Sequence, residues 1–179
     1  MLLLFIISCS PYRNARKTID ITRYNAIQVN GIAHVAMLHG YFAEQSRSPN
    51  GDYRETYFAP NPTNYGGYRE YYNTGELKRK GASFSDIFYG KHETYDKSGK
   101  LIEEIDYDAP YQFSLFSLQC KMKRELRIDI INKNVLVSRS AESNPPTYTI
   151  ILDAADAKRT IMINGNTGGV ISNIILPVK

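Results

Sequence analysis

The residues best suited to chemistry are few and scattered. The histidines are His34, His39 and His92. A zinc or catalytic centre needs His, Cys or carboxylate groups at spacings that let them converge. His34 and His39 are five apart, on opposite faces of a strand and off-register on a helix, and His92 lies alone in a strand-like run, so all three read as structural. Glu103, Glu104, Asp106 and Asp108 form an acidic cluster. Alternating acids on one strand face could bind Ca²⁺ or act as an acid/base pair, but the same pattern describes a solvated strand edge, which is the expectation here. Lys78-Arg79-Lys80 reads as an exposed strand end rather than a phosphate site. The run NGNTGG at 164–169 lacks the Lys-Ser/Thr and the strand-to-helix context of a phosphate cradle, so it is a hairpin turn. No Gly-x-Ser-x-Gly elbow occurs. Cys120, between Leu118 and Met122, reads as a buried, inert thiol. The expectation is therefore no catalytic residue, no metal and no cofactor. A metal-dependent enzyme built on Glu103–Asp108 is the alternative.

What must position these groups follows from composition and pattern. With 179 residues, 42% of them hydrophobic, the chain can bury a core without disulfides, and its 2 cysteines exclude a disulfide scaffold. The net charge of +4 is spread along the chain, not gathered into the basic stripe of a nucleic-acid binder, so no nucleic-acid partner is expected. Trp is absent while Tyr reaches 14.

The chain opens MLLLFIISCSP. An apolar run that ends on a small residue and a cysteine has the form of a secretory h-region and its cleavage position. Ile6-Ile7-Ser8-Cys9 resembles a bacterial lipobox. That resemblance implies that residues 1–8 are a signal remnant and that Cys9 is lipidated, anchoring the protein in the cell envelope, at the outer membrane and facing the periplasm. A Cys9–Cys120 disulfide is the competing account. Residues 9–17 would be a basic tether beside anionic headgroups.

Residues 18–29 are rich in β-formers and precede Asn30-Gly31, so 18–29 and 32–43 are expected to form an N-terminal hairpin, although Ala33, Ala36, Met37 and Leu38 also suit a helix. Ten of the fourteen tyrosines fall within 53–111, in short runs broken by Gly, Asn, Pro and Asp, the pattern of a β-meander. Residues 68–78 can be laid over 91–102, with Gly75 and Gly99 24 positions apart and one extra residue in the second turn; a weaker copy starts at Gly51. YREYYNTGELKRKG and GKHETYDKSGKLIEEIDYD resemble bacterial MORN-type repeats, of the form G-x-x-x-x-Y-Y-x-x-G-x-L. In that family Tyr and Leu of neighbouring hairpins stack into one sheet, and Gly75 and Gly99 would take positive-φ turn positions. The resemblance implies a macromolecular partner: either a secreted toxin, with this chain as its immunity or antitoxin protein, or an envelope complex in which it plays a structural role. Tyr and Arg are enriched at binding hot spots, so Tyr53, Arg54, Tyr68, Arg69, Tyr71 and Tyr95 are the candidate partner-binding residues.

Beyond 109–111 the spacing turns helical. Leu115, Leu118, Met122 and Leu126 share one face, Ser114 is placed to cap, and Lys121, Lys123 and Arg124 crowd the last turns. Short β-runs follow at 126–131, 135–137, 148–152, 160–163 and 170–176. The expected fold is mainly β: a repeat region over 18–108, then one amphipathic helix and a small C-terminal sheet over 109–179.

Overall fold

The computed structural model describes residues 17–37, 40–59, 63–85, 87–132, 134–153 and 157–177. The fold is mainly antiparallel β. Seven strands form one meander: β1 (Ile32–Ala36), β2 (Phe42–Arg47), β3 (Tyr53–Phe58), β4 (Tyr65–Tyr71), β5 (Leu77–Phe84), β6 (Ile87–Tyr95) and β7 (Leu101–Asp106), each paired with the next. A second sheet holds β8 (Val135–Ser140), β9 (Thr147–Asp153), β10 (Ala157–Asn164) and β11 (Val170–Pro177), with β8 and β11 at its edges. Two helices are described, α1 (Ile21–Ile27) and α2 (Leu115–Glu125). No helix among the described residues is long and apolar enough to cross a membrane.

The meander keeps its register through three like turns. The amide of Ser48 donates to the carbonyl of Asp52 (2.8 Å), Tyr72 to Glu76 (2.9 Å) and Asp96 to Lys100 (2.9 Å). Within them the amides of Gly51, Gly75 and Gly99 donate back to Ser48, Tyr72 and Asp96. These glycines have φ of +88°, +102° and +81°, a conformation that a Cβ penalises. Their spacing of 24 residues is therefore the length of one hairpin and its return. The turns have equal lengths, so Tyr71 matches Tyr95 and Tyr72 matches Asp96; no residue is extra in the second.

Two stretches differ from their sequence pattern. Residues 21–27 are helical, not a strand. Asp20 caps α1 by accepting from the Arg23 amide (2.9 Å), and Tyr24 is buried edge-on against Tyr53. Capping and that one ring outweigh the β-branched composition, and the N-terminal hairpin is instead β1 with β2. Residues 126–131 form no strand. Arg127 has φ +58°, the amide of Ile128 donates to Met122, and Ile128 and Ile130 drop into the core as anchors of a linker.

The main core joins the two sheets. Leu115, Leu118 and Met122 of α2 pack on Val137, Tyr148, Ile150, Ile161 and Ile163 of the second sheet and on Phe84 and Ile87 of the first. A smaller cluster under α1 gathers Ile19, Tyr24, Ala33, Tyr53, Tyr71 and Leu77.

Candidate functional site

Side chains alternate across a strand, so the register divides the meander into two faces. One face is covered. Opposite residues there run Ala33, Gln45, Glu55, Arg69, Lys80 and Glu93 across six strands. At its centre Glu55 and Arg69 lie 3.5 Å apart, with side chains only 6% and 5% exposed. Glu55 accepts from Gln45 (2.5 Å), Tyr57 and Tyr71 (3.2 Å), and the Arg69 guanidinium lies 4.6 Å over the Tyr57 ring. Burial, and then the Glu55 charge, push the Tyr71 hydroxyl pKa well above its ordinary value. A cavity of about 10 Å³ beside Glu55, Gln45, Tyr71 and Asp20 has room for about one water.

The opposite face is open. Its central row runs Arg54, Glu70, Arg79, Thr94 and Glu103. Next to it stand Glu44, Thr56, Tyr68, Gly81, His92 and Ile105, and Phe42, Phe58, Gly66, Ser83 and Phe88 belong to the same face. Gly81 is decisive. A Cβ there would drive into the His92 ring, so the glycine lets the imidazole lie flat across β5 toward Tyr68. His92 Nε2 meets the Ala82 carbonyl (3.0 Å), which can only accept, so Nε2 carries the proton and Nδ1 accepts from the Tyr68 hydroxyl (3.2 Å). Burial lowers the His92 pKa below its ordinary 6.5, and the nearby Arg139 and Arg79 act in the same direction against the carbonyl's pull. Phe88 and Tyr107 close the cluster, with ring centroids 4.7 and 4.6 Å from the imidazole. Phe88 is nonetheless 45% exposed, and Phe42, stacked on Phe58, is 41% exposed. Arg54 lies 5.4 Å over Tyr68 and 3.9 Å from Glu70. This patch of aromatic rings beside a charged row is the candidate site.

The structure divides the candidate partner-binding residues between the two faces. Tyr53, Arg69 and Tyr71 lie on the covered face and present no surface to a partner. Tyr95 is on that side too, half-buried and hydrogen-bonded to Glu93. Tyr68 faces the open side but is covered by its neighbours, and Arg54 is freely accessible. A Tyr-Arg dipeptide must send its two side chains to opposite faces, which is why these pairs do not act together. The exposed aromatics Phe42 and Phe88 are not among the sequence candidates; nothing local marks them, and only their register with Phe58 and Ser83 puts them on this face.

The acidic cluster disperses likewise. Glu103 accepts from Thr94, Glu104 pairs with Lys91 at 2.7 Å, and Asp108 binds Arg139 at 2.8 Å, tying the meander to β8. No group of three or more His, Cys, Asp or Glu among the described residues could hold a metal ion. Lys78 and Lys80 pair with Asp52 and Glu93 at 2.6 Å, while Arg79 points to the open face. His34 is exposed near Glu44, and Cys120 is a half-buried free thiol. His39 and Cys9 lie outside the described residues. Comparison of the chain with family models, with curated proteins and with solved structures finds no match.

Proposed function

We propose that this chain is a non-enzymatic binding protein of the bacterial envelope that holds a protein partner on the open face of its seven-stranded sheet. The observation that carries this reading is the pair of exposed rings Phe42 and Phe88, backed by half-buried Phe58 and Tyr107, beside Arg54 and Arg79 on one face of the sheet. Rigid aromatics flanked by arginine bury large area at little entropic cost, which is how hot spots bind. The cavity beside Glu55 holds about one water and encloses no small substrate, whereas a broad sheet face suits a macromolecule. The MORN-type resemblance at 68–102 supports the same mode, and a secreted toxin is the partner class it implies. A structural place in an envelope complex would use the same face.

Anchoring rests on residues 1–9 alone. Acylated Cys9 and the basic stretch 10–17 would hold the sheet close to the membrane surface. Mass spectrometry of the mature protein should find diacylglyceryl-Cys9 as the first residue; an unmodified Met1 or a free Cys9 thiol would remove the anchor. For the binding face, the full chain and its Arg54→Glu/Phe88→Asp variant are used as bait in native membranes. The wild-type chain should retain one stoichiometric partner and the variant, equally folded by circular dichroism, should lose it. Equal retention by both would reject the open face.

A further inference from the structure

The four sheet edges are not treated alike. β8 is closed off within the molecule: Asn64 donates to the Val135 carbonyl (2.7 Å) and the Val137 amide donates to Ser85 (3.0 Å). β7 carries Glu103, Glu104 and Asp106, charges that discourage strand addition. β1 has only five residues. β11 has none of these protections. It is eight residues long, VISNIILP, with no charge, and its backbone has no described hydrogen bond beyond its pairing with β10 and the Asn164–Gly169 turn. Val170, Ile171, Ile174, Ile175 and Leu176 are 47–62% exposed. The register puts Ile175 on the α2 side of the sheet and Ile174 and Leu176 on the other, so both faces of this strand are bare.

We infer that β11 is a homodimer seam, pairing antiparallel with β11 of a second copy about a two-fold axis to make one continuous eight-stranded sheet. A second copy is the occupant that the strand fits. Antiparallel pairing with itself, with Ser172 opposite Asn173, sets Ile171 against Ile174 and Val170 against Ile175 and brings no like charges together, whereas β7 against itself would oppose its acids. Edge pairing covers the strand backbones and the outer flanks of these Val, Ile and Leu side chains, which keeps the interface below the roughly 1,000 Å² expected of a stable one. The dimer is therefore reversible and dissociates on dilution. The seam lies on the second sheet and leaves the open face of the meander free.

Sedimentation velocity of the full chain under reducing conditions, over a hundredfold concentration range, tests this. A monomer–dimer equilibrium is expected, with Ile174→Lys shifting it at least tenfold toward monomer while the circular dichroism spectrum is unchanged. Hydrogen exchange supplies a readout that needs no variant: β11 amides should be protected at high concentration and lose that protection on dilution. A chain that stays monomeric throughout, a dimer unchanged by a folded Ile174→Lys variant, open-ended aggregation, or β11 exchange independent of concentration would each overturn the seam.

Discussion

The two faces of the meander carry similar residue types and use them oppositely. On the covered face, Arg69, Glu55, Tyr57 and Tyr71 are locked into a buried network whose every charge is matched. On the open face, buried Tyr68 and exposed Phe88 flank a histidine whose hydrogen bonds are satisfied, while Arg54 and Glu70 pair loosely beside Tyr68 and stay accessible. What separates the sets is one position of register. Burial makes an ion pair a source of specificity and a liability if broken. Exposure makes the same residues available to a partner and nearly neutral for stability.

That contrast can be broken from either side. The largest effect is expected at Arg69→Ala, which leaves the Glu55 carboxylate buried without its cation; the loss should be about 3–5 kcal/mol in urea unfolding, and Arg69→Met combined with Glu55→Gln should recover most of it. Arg54→Glu on the open face should change stability by about 0.5 kcal/mol or less in the same assay. Gly81→Ala should cost about 1–3 kcal/mol because its methyl displaces the His92 ring, and adding His92→Ala should cost less than the two single changes together. Removal of the α1 cap by Asp20→Ala should cost about 1 kcal/mol and loosen Tyr24 from Tyr53, read from unfolding and Tyr24 NMR shifts.

The smallest effect concerns His92. Its folded pKa lies below the unfolded value near 6.5, so the unfolded chain binds more protons as pH falls below that value. Its contribution to stability is full above pH 6.5 and is lost as pH falls through the folded pKa. Urea midpoints at pH 5 and 7.5 should differ more for the wild-type chain than for His92→Gln.

Much of the meander was legible in sequence because its turns repeat. Gly75 and Gly99 each need a positive φ, and their 24-residue spacing marks two of the hairpins, whereas Gly51 reads in sequence as the start of a weaker copy and only the structure shows it in the same turn position. The helix over 115–125 was legible from Leu115, Leu118 and Met122 with Ser114 as cap. Residues 21–27 were not, because Asp20 and the packing of Tyr24 on Tyr53 override local composition, and a contact 29 residues away leaves no local trace. The candidate site was half legible. Tyr and Arg were identified as a binding vocabulary, but which of them face outward depends on where α1 and α2 cover the sheet, and that is a tertiary fact. Phe88 and Phe42 came into view only once the register was known.

Site-specific photo-crosslinking tests the central claim most directly. A photoreactive amino acid is placed at Phe88, on the open face, and separately at Phe116, which is 70% exposed on α2. In cells expressing the partner, a discrete adduct is predicted from position 88 and none from position 116. Adducts from position 116 with none from position 88 would contradict the account.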